Sequence, residues 1–186
     1  MTQTTTPPNT VKFSDQIKTA ATDEWYTPAY AVELIVPFLK QRNFSKILCP
    51  FDTIESEFVK VLYQHGFDVQ FSHIWTGSDF FELKSTDIAN VDCIVSNPPF
   101  SKRQAVFEQL YELGKPFAMI INFNGLFDAK SRWKLFHEHP FELLIPEGRI
   151  KFSDGHGMKN SPNFQSIYVC RDVLEHQIVF SKMSSK

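Results

Sequence analysis

Glycine is scarce in this sequence, with only 7 among 186 residues, about half the usual ~7% share. The chain contains no GxxxxGKS or GxxxxGKT loop and no GxGxxG motif that opens a helix. Sites that cradle phosphate groups in a glycine-rich loop are therefore excluded. Cysteine is also sparse: Cys49, Cys93 and Cys170 lie far apart without CxxC pairing, so we expect buried free thiols in a reducing cytosol.

Long apolar runs and a strong net charge are absent as well. No apolar run approaches the ~18 residues that a membrane-spanning helix needs, and the start MTQTTTPPNT lacks the basic and apolar regions of a signal peptide. We therefore expect a cytoplasmic protein with no membrane partner. The formal net charge of −2 excludes a protein that coats nucleic acid by charge alone, although a local basic face stays open.

Phenylalanine, in contrast, is abundant, with 19 residues, and this aromatic content excludes a disordered chain. From residue 46 onward, short apolar runs alternate with amphipathic stretches. Strands are predicted at KILCPF, FDVQFS, VDCIVS, PFAMIIN, FELLIP and QSIYVCRD, and helices at ESEFVKVLYQH, RQAVFEQLYELG and RWKLFHEH. This alternation predicts an α/β domain with a mostly parallel central sheet and helices on both faces.

The two ends of the predicted domain are less regular. Residues 1–22 are polar and are expected to form a flexible lead-in to a single domain over 23–186. A helix is predicted over 30–40, with Thr27 as N-cap and Pro28 as first residue, and Pro37 predicts a kink or an early end. The segment 146–165 holds three of the seven glycines and is expected to be a mobile loop.

The tetrapeptide Asn97-Pro98-Pro99-Phe100 follows directly on the predicted strand VDCIVS. Ligands of parallel α/β sheets bind at the carboxyl ends of the strands, where this tetrapeptide lies. An amino group conjugated to a ring or a carbonyl is a poor nucleophile; an Asn side-chain oxygen and a backbone carbonyl, stiffened by the prolines, can accept its two hydrogens. Phe100 offers a face on which a base can stack. Because the proton leaves only after attack on a sulfonium methyl, this chemistry needs no metal. The alternative is a turn that ends a strand.

These residues resemble the catalytic motif of S-adenosylmethionine-dependent amino-methyltransferases. Together with DEWYTP, CPFD, GSDFF and SPNFQS, in this order, they make the chain similar to phage-type DNA N6-adenine methyltransferases over roughly residues 23–172. The resemblance implies a Rossmann-like methyltransferase fold and S-adenosylmethionine as cofactor. It also implies methylation of the N6 amino group of an adenine flipped out of a DNA duplex. We expect a monomer or weak dimer, encoded by a phage or its bacterial host.

The resemblance also implies a cofactor site at the tips of the first strands. Its implied contacts are Trp25, Tyr26, Thr27, Pro28, Cys49, Pro50, Phe51, Asp52, Asp79, Phe80 and Asn97. In the family Asp79 would accept a hydrogen bond from the adenine amino group of the cofactor. Asp52 or Glu55 would pair with the cofactor's ammonium group, or would instead cap the helix that follows.

Two segments depart from the family pattern. Cys49 occupies the place of an acidic residue, and Thr53 and Glu55 lie near the places of glycines. The second strand ends with Ser72-His73 and lacks the carboxylate that binds the ribose hydroxyls. Either His73 or Ser72 substitutes for this carboxylate, or His73 is a plain surface histidine; both alternatives are open at this point.

Contact with DNA phosphates requires local positive charge, because the chain as a whole is slightly acidic. The candidates are Lys102, Arg103, Lys130, Arg132, Arg149, Lys151 and Lys159; solvated surface charge is the alternative for each cluster. No separate target-recognition domain is expected, so a short or relaxed site preference follows. Two other functions stay open: methylation of RNA bases or protein glutamine by the same motif, and a non-catalytic nucleic-acid-binding module whose cofactor site has lapsed.

Overall fold

The computed structural model describes residues 26–153 and 164–183. The predicted lead-in over 1–22, together with Trp25 and Lys159 of the predicted site, lies outside these described residues. The strands are β1 Lys46–Cys49, β2 Asp68–Phe71, β3 Cys93–Ser96, β4 Phe117–Asn122, β5 Glu142–Pro146, β6 Ser166–Arg171 and β7 Ile178–Ser181. The helices are α1 Ala29–Glu33, α2 Val36–Gln41, α3 Glu57–Gln64, α4 Arg103–Leu113 and α5 Lys130–Glu138.

The seven strands form one sheet in the order β2-β1-β3-β4-β6-β5-β7. β6 runs antiparallel to both of its neighbours, and the other strands are parallel to one another. This arrangement confirms the predicted α/β class with a mostly parallel sheet. The sequence analysis missed β7, a four-residue edge strand.

Two hydrophobic cores lie on opposite faces of the sheet because alternate strand residues point to opposite sides. One core joins α1, α2 and α3 to residues such as Ile47 and Val95. The other joins α4 and α5 to their strand neighbours, such as Leu48 and Ile94. Helices therefore cover both faces, as predicted. The three cysteines are free thiols and are buried, which confirms the predicted burial.

Pro37 breaks the predicted helix over 30–40 into α1 and α2. Pro37 lies in the first turn of α2, where its missing N–H costs no intrahelical hydrogen bond. The N-cap of α1 is Pro28, not Thr27 as predicted, and no side chain caps this helix end. Within the parts of the chain that the structure describes, no helix is both long and apolar enough to cross a bilayer.

The sheet order places a topological switch point between β1 and β3. The chain passes from β1 to β2 on one side and then returns to β3 on the other side of β1. Loops that leave the carboxyl ends of β1 and β3 therefore diverge and open a crevice between them, which is where open α/β sheets bind ligands.

Tyr168 ties the first helix to the sheet. Its hydroxyl, on a fully buried side chain, donates to the carbonyl oxygen of Ala31 at 2.9 Å. Tyr168→Phe should lower the free energy of unfolding by about 1–3 kcal/mol, because it leaves a buried carbonyl without its donor. Urea unfolding measures this change, with the exposed Tyr63→Phe as the control expected to show no change. Equal stability of the two variants would contradict this assignment.

Candidate active site

A pocket of about 260 Å³ lies at the carboxyl ends of β1, β2 and β3. Three loops form most of its wall: one after β1, one after β2 and one after β3. A fourth contribution comes from the segment that precedes α1. The lining residues that concern function are Tyr26, Thr27, Pro50, Phe51, Asp52, Glu55, Ser56, Glu57, His73, Trp75, Asp79, Phe80, Phe81, Asn97, Pro98, Pro99 and Lys102. The pocket thus occupies the crevice that the strand order creates.

Asp52 connects three of the segments that build this pocket. Its carboxylate accepts hydrogen bonds from the hydroxyl of Ser56 on one oxygen and from the hydroxyl of Ser96 on the other. Its backbone N–H donates to the carbonyl oxygen of Ser72 at 3.1 Å. The end of β3, the start of α3 and the end of β2 are therefore all held to the loop after β1. Ser96 is fully buried and directly precedes Asn97.

Burial raises the pKa of Asp52 to about 6, against the opposing effects of the two serine hydroxyls and nearby His73. An ionised carboxylate only accepts hydrogen bonds, so its ionised form matches two donating hydroxyls. The cost of desolvating the charge is larger than these gains, which is why the pKa rises rather than falls.

Ser56 is the N-cap of α3, so neither Asp52 nor Glu55 caps this helix as the alternative reading held. The Ser56 hydroxyl accepts from the backbone N–H of Phe58 at 3.2 Å while it donates to Asp52. Glu55 is exposed and pairs with Lys60 at 3.1 Å. Asp52 therefore holds the N-cap residue Ser56 through a hydrogen bond, and Glu55 is an exposed residue of the pocket wall.

His73 follows the end of β2 and lines the pocket. It is only 7% exposed, so it is not a plain surface histidine. Its Nδ1 accepts from the backbone N–H of Trp75 at 3.1 Å, which in the neutral ring leaves the proton on Nε2. The pocket therefore has the imidazole of His73, and not a carboxylate, at the end of β2.

Three phenylalanine side chains form one wall of the pocket. The ring centroids of Phe51 and Phe80 are 4.8 Å apart, and Phe81 packs edge-on against Phe80. Asp79 caps the short 3-10 turn Phe80–Glu82, its Oδ1 accepting from the backbone N–H of Phe81 at 3.0 Å. Asp79 also lines the pocket.

Thr27 presents a buried polar atom to the pocket. The side chain is 7% exposed, and its Oγ1 has no hydrogen-bond partner among the described residues. Tyr26 holds the segment in place through two backbone hydrogen bonds with Ser153, of 2.8 and 3.1 Å. A buried hydroxyl without a partner is costly, and Thr27 is one of the residues that line the pocket.

Three predicted contacts do not line the pocket. Cys49 points into the core and is fully buried, and burial raises the pKa of its thiol well above the usual value. It cannot replace the acidic residue that the family has there. Pro28 caps α1 instead. Phe100 packs edge-to-face against Phe152 and Phe164, with centroids 6.4 and 5.5 Å away.

The predicted phosphate contacts fall into different surroundings. Lys102 lies in the pocket wall, with its Nζ 5.4 Å from the centre of the Phe81 ring. Arg103 and Arg132 donate to backbone carbonyls of the loop after β4, Arg103 to Asn124 at 2.9 Å and Arg132 to Gly125 at 2.8 Å. Three others are exposed on the described surface: Lys130, Arg149 and Lys151.

Sequence reasoning missed several pocket residues, among them Ser56, Glu57, Trp75 and Phe81, and it missed the buried Ser96, which holds Asp52. A signal existed for Ser56, since a serine directly before an amphipathic helix is a usual N-cap. Ser96 gave none, because its partner lies 44 residues away in the sequence.

Two solved structures share this fold. One is described as a modification subunit of a type I restriction enzyme from Vibrio vulnificus YJ016; it has a TM-score of 0.52 and 12% identity, over 93% of this chain and 50% of its own. The other, from the type I R-M system, has a TM-score of 0.52 and 9% identity, over 93% of this chain and 48% of its own. This chain thus spans about half the length of both. The likeness confirms the predicted Rossmann-like fold. No protein-family model and no curated protein matches the sequence.

Asp52→Asn should change how stability depends on pH. The native pKa of about 6 lies above the usual 3.8, so protonation favours the folded state. The wild-type free energy of unfolding therefore falls by about 3 kcal/mol as pH rises from roughly 4 to 6, a loss that the variant lacks. Urea unfolding of wild type and Asp52→Asn across this pH range measures the difference in their free energies of unfolding. Other titrating groups are the same in both proteins, so their effects cancel in this difference. A difference that stays flat or changes sign would contradict the burial of an ionisable Asp52.

Proposed function

We propose that this protein transfers a methyl group from S-adenosylmethionine to the exocyclic N6 amino group of an adenine in DNA. The observation that carries the proposal is the single pocket at the switch point. It brings Asn97 and its two prolines together with Asp79, the phenylalanine wall and the buried Thr27 hydroxyl. Catalytic and cofactor-binding candidates from four distant segments of the chain thus meet in one place.

The described residues fit this cofactor. Asp52, Glu55, Glu57 and Asp79 give the pocket an excess of carboxylates over Lys102, its one lysine or arginine among the described residues, which suits a cation. Phe51 and Phe80 line the pocket and would pack against the adenine ring, and Asp79 Oδ2 would accept from its amino group. Thr27 Oγ1 has no hydrogen-bond partner among the described residues and would donate to the bound cofactor. When bound, the cofactor supplies a methyl group activated by a positive sulfur.

Asn97, Pro98 and Pro99 would orient the amino group that is methylated. The Asn97 side-chain oxygen accepts one N–H, and a backbone carbonyl of the stiffened Pro98-Pro99 segment accepts the other. Held this way, the nitrogen lone pair is directed away from the ring and toward the methyl donor. The nitrogen forms its bond to the methyl carbon as the carbon–sulfur bond breaks, and the proton then leaves to solvent. The chain therefore needs no strong base.

Two observations favour DNA as the substrate. The solved structures with this fold are described as parts of type I restriction–modification systems. The exposed Lys130, Arg149 and Lys151 could meet phosphates, which supply much of the affinity of DNA-binding proteins. Phe100, packed against Phe152 and Phe164 beside Asn97, is proposed to support the flipped base, whose extrusion costs a few kcal/mol.

Methyl transfer is tested by offering tritiated S-adenosylmethionine to DNA, ribosomal RNA and a release factor in parallel. We expect label in DNA only, recovered as N6-methyladenine on nucleoside analysis. Asn97→Ala should reduce the rate at least about 100-fold, because it removes an oriented acceptor of the reacting amino group. Asn90→Ala, an exposed asparagine before β3, is the matched control and should act as wild type.

The distribution of label decides between the readings. Label confined to RNA or to the release factor would replace DNA as the substrate. No label in any of them, with no cofactor binding, would favour the non-catalytic module. An Asn97→Ala variant that keeps most of its activity would overturn the proposed chemistry.

Asp79→Asn should weaken binding of S-adenosylmethionine by about 10–100-fold, since it replaces an acceptor for the adenine amino group with a second donor. The variant keeps an oxygen for the backbone N–H of Phe81, so the 3-10 turn should stay capped. Calorimetry measures the affinity. The control is Asp87→Asn, which alters another loop-capping carboxylate, one that accepts from the backbone N–H of Lys84 at 2.9 Å outside the pocket. Wild-type affinity in Asp79→Asn would refute the assigned role.

A further inference from the structure

Asp52 is a carboxylate inside the pocket that is already engaged by the protein. Each of its two oxygens accepts a serine hydroxyl, from Ser56 on one side and Ser96 on the other. The residue is 6% exposed. A ligand ammonium would have to compete with these two hydroxyls, whereas Glu55 and Glu57 line the same pocket with more exposed carboxylates.

The Ser96 hydroxyl donates to Oδ2 of Asp52. Ser96 is fully buried as the last residue of β3, so bulk solvent does not compete with this hydrogen bond. The hydrogen bond therefore fixes the conformation of the residue from which the chain enters Asn97-Pro98-Pro99. The same carboxylate fixes Ser56, whose hydroxyl must keep its lone pair toward the backbone N–H of Phe58.

We propose that Asp52 is a positioning residue for methyl transfer: its ionised carboxylate, through Ser96, holds Asn97 in the geometry that orients the reacting amino group. This inference rests on the proposed function and assigns to Asp52 a role other than binding the cofactor's ammonium group. Protonation would turn one carboxylate oxygen into a donor, and one of the two serine hydroxyls would then lose its acceptor.

The titratable groups around Asp52 are consistent with an ionisation of Asp52 that controls the Asp52–Ser96 hydrogen bond near pH 6. Cys49 at the end of β1 and Tyr168 on β6 both have a pKa raised well above the usual value by burial, so they stay neutral below pH 8. A coulombic interaction with His73, after β2, lowers the pKa of Asp52 against the larger effect of burial. The remaining charged groups that line the pocket are Glu55, Glu57, Asp79 and Lys102.

The test compares wild type with Asp52→Asn and Ser96→Ala by steady-state kinetics and by calorimetry with S-adenosylmethionine. Both variants should lower kcat at least about tenfold at pH 7.5 while the Kd for the cofactor stays within about twofold. Wild-type kcat/KM should fall about tenfold per pH unit below pH 6, and Asp52→Asn should lack this acidic limb.

The matched control is Asp92→Asn, at the opposite end of β1. Asp92 also accepts from a serine, the Ser45 hydroxyl at 3.0 Å, and from the backbone N–H groups of Ser45 and Lys46. This variant removes a similar carboxylate–serine contact far from the pocket. It should keep the wild-type kcat and the wild-type pH profile.

A second measurement does not depend on turnover. In the wild type, the side-chain amide resonance of Asn97 should titrate with a midpoint near pH 6, and in Asp52→Asn it should not. A loss of cofactor affinity with wild-type kcat at saturation would overturn the proposal, as would an Asn97 resonance that does not respond to pH. If wild type methylates no substrate, the proposed function fails, and the Asn97 titration still decides whether Asp52 controls that side chain.

Discussion

The buried Asp52 carboxylate is the constraint on which the carboxyl edge of the sheet depends. β1 and β3 are neighbours, yet the loops that leave them diverge at the switch point. Asp52, in the loop after β1, is hydrogen-bonded to Ser96 at the end of β3 and to Ser56 at the start of α3. The pocket wall and the strand end that carries Asn97 are therefore one connected unit, although they lie 44 residues apart in the sequence.

The contacts of Asp52 also hold the loop after β1 in place without a glycine-rich turn. Glycine-rich turns let a backbone approach a ligand closely; the loop after β1 here is instead Thr53, Ile54 and Glu55, ordered by the Asp52–Ser56 hydrogen bond. A charge that is expensive to bury, as its raised pKa shows, lowers stability at neutral pH. Functional sites commonly retain such costs. The scarcity of glycine thus excludes phosphate-cradling loops and leaves room for a pocket walled by carboxylates and phenylalanines.

The sequence allowed the class of fold to be predicted because strand and helix periodicities are local. The six predicted strands are present, and Pro37 divides the first helix. The four-residue β7 lies half-exposed at the sheet edge and has no such signal. Site residues were predictable where a motif is contiguous, as in Asn97-Pro98-Pro99. Site residues were not predictable where tertiary contacts determine the position of the side chain. Ser96 donates to Asp52 in another loop, Lys102 lies over the Phe81 ring, and Arg103 donates to loop carbonyls.

The central claim is that the crevice between β1 and β3 is the cofactor site. A crystal structure with S-adenosylhomocysteine tests it most directly. We expect the adenine ring near Phe51 and Phe80 with its amino group on Asp79 Oδ2, and the sulfur atom facing Asn97. The Thr27 hydroxyl should have gained a partner, and the Asp52–Ser96 hydrogen bond should be unchanged. Clear density for the ligand elsewhere on the protein, or an empty crevice at saturating ligand, would contradict the account.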